Sequence, residues 1–260
     1  VHPLSYSEFL EFRKLRDTTE NFTLYMKQGG MPGLTNMNHE DESVRDYLQG
    51  ILSTVLLKDV VKRFNIRNVS FLDNLVRFQA ENIGKLVSAK SIAEYIKSQK
   101  INVSHNLVID YLKFISSSFL TSKVQRKEIT GKKVFEIGEK YYFEDIGIRN
   151  TLVGFSPMDI SGLLENIVFN HLCIAGYSVY IGQKGTREID FIAEKNNEIL
   201  YVQVAWKLSS DKTTEREFGN LLGIDDNYRK IVVTFDGALA PNTYKGIEHK
   251  SVREFIAELK

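Results

Sequence analysis

The sequence is poor in the features that would classify it quickly. It has one cysteine, Cys173, so no internal disulfide can form. That residue lies in the apolar helical run 167–175, which predicts a buried thiol in a reducing compartment. No apolar stretch approaches the ~18 residues that cross a bilayer, and no basic stretch followed by a hydrophobic one opens the chain. A cytoplasmic protein with no membrane partner is therefore expected. The formal net charge is +1, which supplies no overall field to draw the chain onto nucleic acid or anionic lipid, so such binding must come from a local patch. The phosphate loop Gly-x-x-x-x-Gly-Lys-[Ser/Thr] is also missing. Without its cradle of backbone N–H groups and its lysine, this chain as it stands has no seat for P-loop nucleotide binding and cannot hydrolyse ATP. Gly29, Gly30 and Gly33 lack a following lysine and predict a turn. His2, His39, His105, His171 and His249 are scattered, and one cysteine cannot build a structural zinc site with them.

What is present reads as globular. Hydrophobic residues make up 43% and charged residues 26% of 260, which allows at least two domains with cores of their own. Helical spacing of apolar residues runs through 6–15, 18–27, 41–63, 71–83, 89–98 and 105–119, broken by the glycine and proline cluster at 29–33. Ser88 and Ser104 stand where helix N-caps are wanted. The pattern then turns extended at 121–126, 134–137 and 140–143, with a turn at 130–133. Three helices followed by a small hairpin predict a winged helix over residues 71–154. The remainder reads helix 161–175, strands 178–182, 187–193 and 199–206, helix 213–224, strand 230–234, a strand near 246–249 and helix 252–259. This α-β-β-β-α-β order predicts a small mixed sheet with helices packed on it, and the whole chain an α+β fold with a helical front.

Two residues within the apolar strands need an explanation. Asp190 interrupts the run 189–192 and Gln203 the run 201–205, while Glu165 sits on the preceding helix between Leu164 and Ile167. An acid or amide inside an apolar strand costs desolvation energy unless it is paired or binds a cation. Two oxygen ligands on adjacent strands could hold Mg²⁺ in a pocket at the sheet edge. Alternatively, Asp190 caps a turn or pairs with Arg187 or Lys184. In the winged helix, the groove-reading helix 105–119 would present His105, Asn106, Asp110, Lys113 and Ser117 to DNA or another nucleic acid, with only one firm cation among them. Lys123, Arg126, Lys127, Lys132 and Lys133 gather on the expected wing. They could contact phosphates, or protect a strand edge from pairing.

Glu165 on a helix, Glu188-Ile189-Asp190-Phe191 on one strand and Gln203-Val204-Ala205 on the next resemble the PD-(D/E)XK nuclease superfamily, with its restriction-endonuclease fold. The resemblance implies that Glu165 supports the site, Asp190 is the principal metal ligand and Gln203 the second. Ala205 stands where the family carries its lysine, and Lys207 could replace it if the strand continues. A neutral amide in place of a carboxylate implies that Mg²⁺ binds weakly.

A wider resemblance spans nearly the whole chain. Pro3-Leu4-Ser5-Tyr6-Ser7-Glu8-Phe9, Gly29-Gly30-Met31-Pro32, Leu57-Lys58-Asp59-Val60, Asn82-Ile83-Gly84, the run from Tyr141 to Gly147 and Leu164-Glu165-Asn166 are similar, in order, to a prokaryotic family of predicted AAA+ ATPases. Those proteins end in a domain of unknown function with a winged-helix and nuclease-like build. The resemblance implies that residues 1–70 are the helical end of an ATPase module and its linker, 71–154 a winged helix and 155–260 a nuclease-like domain. The chain then reads as a fragment whose Walker motifs lie upstream of it, and ATP is bound only by the full-length protein. The function implied is a nucleic-acid-associated module with a degraded nuclease site, inactive alone. The alternatives are an active Mg²⁺-dependent nuclease using Lys207, and a scaffold that couples the ATPase to a protein partner or to another copy through the ATPase module.

Overall fold

The structure is a computed structural model that describes residues 2–37, 41–98, 103–129, 134–135, 138–208, 210–237 and 243–259. The chain forms two compact units. The first comprises Val1–Lys123 with Lys140–Ser156, the second Val124–Glu139 with Pro157–Lys260.

The first unit is helical. It contains α1 (Tyr6–Arg13), α2 (Thr19–Gln28), a 3₁₀ turn at Pro32–Asn36 and α3 (Asp41–Thr54), which runs into a π-helical segment at Val55–Lys62. Next come α4 (Val69–Glu81), α5 (Ala89–Ser98) and α6 (His105–Ser117). Local chemistry explains the starts of these helices. Ser5 and Glu8 close a capping box on α1, and Ser104 accepts from the Leu107 N–H at the start of α6, satisfying donors that have no intrahelical partner. The core joins Leu48 and Leu52 of α3, Phe71, Leu72, Leu75 and Val76 of α4, Ile92 and Ile96 of α5, and Val108, Leu112 and Ile115 of α6. Strand β1 (Thr121–Val124) pairs with β3 (Lys140–Phe143) in a two-stranded sheet.

The expected turn of the wing, at 130–133, lies outside the described residues, and the strands around it divide between the two units. The segment between β1 and β3 carries β2 (Arg126–Glu128), which leaves for the second unit. Of the strand expected at 134–137, Val134 makes an isolated antiparallel bridge to Lys127. Lys132 and Lys133 lie outside the described residues. Sequence periodicity also overlooked α7 (Ile146–Val153). Its buried residues Ile146, Gly147, Ile148, Arg149, Asn150 and Leu152 surround the axis, leaving no polar stripe to betray a helical period. The usable signal was Asp145, which caps it.

The second unit is a mixed seven-stranded sheet in the order β2-β4-β5-β6-β7-β9-β8. Strands β4 (Ser178–Lys184), β5 (Arg187–Lys195) and β6 (Glu198–Ala205) form an antiparallel meander. Helix α9 (Asp211–Leu222) then crosses over to β7 (Arg229–Thr234), which lies parallel to β6. β9 (Ile247–Ser251) is parallel to β7, β8 (Thr243–Tyr244) closes one edge antiparallel to β9, and β2 closes the other parallel to β4. Helices α8 (Ile160–Ile174) and α10 (Val252–Glu258) complete the unit. This is the mixed α+β architecture with flanking helices that the element order implies. Ile189, Ile192, Tyr201 and Val232 of the sheet bury against Phe218 and Leu221 of α9, and Phe169 of α8 meets Phe191 of β5 at 6.2 Å between ring centroids. Cys173 is exposed near the end of α8 rather than buried. The apolar run concealed a helical face. Phe169 and Leu172 are buried, while Cys173 falls on the outer side.

Candidate functional site

Asp190 and Gln203 come together in the interior of the sheet, not at its edge. Their strands, β5 and β6, are the third and fourth of seven. Both residues are 7% exposed. The β4–β5 register changes between Tyr180, which faces Ile192, and Gly182, which faces Ile189. One residue of β4, Ile181, therefore lies against two of β5, Asp190 and Phe191. Such a bulge re-aims a side chain and bends its strand. The regular β5–β6 register ends at Phe191 opposite Val202, where the Asp190 side chain takes over. Its Oδ2 accepts from the Val204 backbone N–H at 2.8 Å and from Gln203 Nε2 at 2.7 Å.

This arrangement answers the desolvation question for Asp190 and alters the metal expectation. The group that Gln203 turns toward the carboxylate is its amide NH₂, a donor that does for the acid what a cation would do in a metal site. Gln203 Oε1 is buried with no hydrogen-bond partner. Turning the amide over would set Oε1 against Oδ2, two acceptors that need a cation between them. Among the described residues, no three His, Cys, Asp or Glu side chains gather to hold a metal ion. Glu165 is 8% exposed on α8, which packs on β4, β5 and β6, and forms no such cluster with Asp190. One carboxylate already holding two N–H donors, one neutral amide and a buried Ala205 do not fit a catalytic Mg²⁺ set, so no reaction step follows from them.

The lysine expected to replace the missing one lies past the strand: β6 ends at Ala205, Trp206 is a bend, and Lys207 is exposed beyond it. Arg187 and Lys184, the other expected partners of Asp190, reach the region of α9: Arg187 Nη1 donates to the Gly219 carbonyl at 3.5 Å, and Lys184 Nζ to that of Gly223.

The expected nucleic-acid contacts divide in the same way. His105, Asn106, Asp110, Lys113 and Ser117 all lie exposed on α6, as their helical spacing requires, and Ile109 is exposed among them. Arg126 is spent on structure. Its Nε donates to the Gly138 carbonyl at 3.0 Å, Nη1 to Gln183 at 3.4 Å, and its guanidinium lies 5.1 Å from the Phe135 ring centroid. Lys127 pairs with Glu194 and lies over Tyr180. Basic residues that read as a free wing are thus partly sheet-edge fasteners, because β2 is a strand of the second unit.

Comparison with known proteins places the chain. Residues 19–159, more than half of it, match the family model "Domain of unknown function (DUF8612)". The chain belongs to this family. The DUF8612 match begins at α2 and ends just before α8, so the Asp190–Gln203 pair lies beyond it. An uncharacterized protein of Haemophilus influenzae is 34% identical over 239 residues, covering 90% of this chain and 58% of its own length. The uncharacterized protein MJ1544 of Methanocaldococcus jannaschii is 28% identical over 235 residues, covering 84% of this chain and 51% of its own length. The chain thus spans little more than half the length of the curated relatives it matches. Among the described residues, no helix is long and apolar enough to cross a membrane.

Proposed function

We propose that this chain is the C-terminal module of an AAA+ ATPase-type protein, and that its second unit is a nuclease-like domain which associates with nucleic acid without cutting it. The observation that carries this reading is the Gln203 amide donating to Asp190 in the place where a nuclease would hold a metal ion. The order α8-β4-β5-β6-α9-β7, with a meander followed by one parallel crossover, supports the resemblance to the PD-(D/E)XK superfamily. The greater length of the relatives leaves room for an ATPase module outside the residues shared with this chain. ATP binding belongs to that module in this reading, and Mg²⁺ has only a weak foothold at Asp190.

Supercoiled plasmid incubated with the chain in Mg²⁺ or Mn²⁺ tests the proposal. The expected result is intact plasmid with both the wild type and Asp190→Ala. Nicking by the wild type that disappears in Asp190→Ala and in Lys207→Ala would overturn the non-cleaving reading and install the relocated lysine. A gel shift that weakens with added salt supports association with nucleic acid. No shift at low salt would favour the scaffold reading instead.

A further inference from the structure

The carboxyl ends of β6 and β7 carry an aromatic pair that the acidic site does not use. Trp206, the sole tryptophan of the chain, directly follows β6, and Phe235 directly follows β7. Their ring centroids are 4.3 Å apart with 40° between the planes. The Phe235 N–H donates to the Trp206 carbonyl at 3.3 Å, extending the parallel ladder that sets Ala205 beside Thr234. The two residues are therefore joined by backbone just past the ends of their strands. Trp206 nevertheless remains 39% exposed. The indole, stacked on Phe235 on one side, thus keeps over a third of its surface in solvent.

The charges beside it narrow the ligand. Lys207 follows Trp206, and Lys212 stands in the first turn of α9; both are exposed, and neither holds an ion pair among the described residues. An apolar protein patch would call for aliphatic neighbours at those positions. An exposed ring with a cation next to it in the chain, and a second in the helix that follows, suits single-stranded nucleic acid, in which every base offers a π face and every linkage a phosphate. Trp206 and Phe235 follow the parallel strands β6 and β7 at their carboxyl ends.

We propose that Trp206, backed by Phe235, is a stacking platform for one base of a single-stranded nucleic acid, with Lys207 and Lys212 contacting its phosphates. The proposal rests on the reading of the second unit as a non-cleaving, nucleic-acid-associated domain, and gives that domain a surface that holds a strand.

The single tryptophan makes the platform readable in the intact chain. Titration with short oligothymidylate and oligouridylate should quench the indole emission, and the difference between the two arms separates DNA from RNA as the source of the base. Affinity should fall as salt is raised. With a labelled oligonucleotide followed by anisotropy, Trp206→Leu should bind roughly tenfold more weakly, and Trp206→Phe should recover part of the loss. The exposed double variant Lys207→Ala with Lys212→Ala should keep its fold and lower the logarithmic salt slope by about 0.7 per lysine. No quenching, or unchanged affinity and slope in these variants, overturns the platform while intact plasmid keeps the non-cleaving reading. Plasmid nicking with quenching retained would do the reverse.

Discussion

Asp145 Oδ2 accepts a hydrogen bond from the Gly30 backbone N–H at 2.7 Å across a sequence separation of 115 residues, while its Oδ1 accepts from Ile148 at 2.9 Å. One carboxylate thus fastens the glycine break after α2 to the first turn of α7. The geometry explains the glycines. Gly29 has φ +76° and would place a Cβ 2.3 Å from Asp145 Oδ1, and Gly30 would place one 2.3 Å from the Leu4 carbonyl oxygen. The cluster is a turn, as its lack of a following lysine implies, and a turn that admits no side chain at either position.

Burial pushes the Asp145 carboxyl up to about 6, against the opposing pull of the Ile148, Gly30 and Gly147 N–H groups. A folded value above the unfolded one means that the native state takes up the proton first. Stability from this group is therefore fully present at low pH and lost as pH rises from about 4 to about 6, by roughly 3 kcal/mol. Asp145→Asn removes the titration, so the stability difference between wild type and variant, measured by denaturant unfolding from pH 4 to 7, should fall across that window and flatten above it. Parallel curves would assign the titration elsewhere.

How far the chain could be read in advance depended on the range of the interaction involved. Helix α5 and strand β3 have the bounds that local spacing and caps imply, because their patterns are settled within a turn or a strand. β2 could not be read in the same way. Nothing within Arg126–Glu128 reveals that it pairs in parallel with Ile181–Gln183, more than fifty residues away. Asp190 and Gln203 were legible as buried polar residues in apolar strands. Which end of the Gln203 amide would face the acid was not legible, since it depends on the bulge opposite Ile181 and the end of the regular β5–β6 register. The place of Lys207 was not legible for a similar reason. Strand continuation is a tertiary fact, and β6 stops at Ala205.

Phe119 offers a test of stored strain. It follows the C-cap of α6 with φ +56° and is 72% exposed. Glycine is the usual occupant of a left-handed position after a helix, and a bulky residue there is a genuine outlier. Phe119→Gly and Phe119→Ala both remove the ring, but only glycine relieves the backbone. The glycine variant should therefore be the more stable of the two by about 1 kcal/mol in chemical unfolding. Equal stabilities would show that the left-handed conformation costs nothing here.

The Gln203 amide leads to the last prediction. Gln203→Glu removes the donor now held 2.7 Å from Asp190 Oδ2 and sets a second carboxylate in its place. Two buried acids so close cannot both ionise without a cation between them, so one takes up a proton or the pair recruits a metal. In chelator, the variant should lose roughly 1–3 kcal/mol, the cost of an unmet buried polar group. Mg²⁺ or Mn²⁺ should restore its thermal midpoint while leaving the wild type unmoved. Gln203→Leu also removes the donor but creates no ligand, so metal should not rescue it. Adding Ala205→Lys supplies a cation two residues along β6, on the same side of the strand as residue 203. The double variant should therefore nick plasmid in Mg²⁺ where the wild type does not. If metal fails to raise the midpoint of Gln203→Glu, the Asp190 site is not the shell of a metal centre.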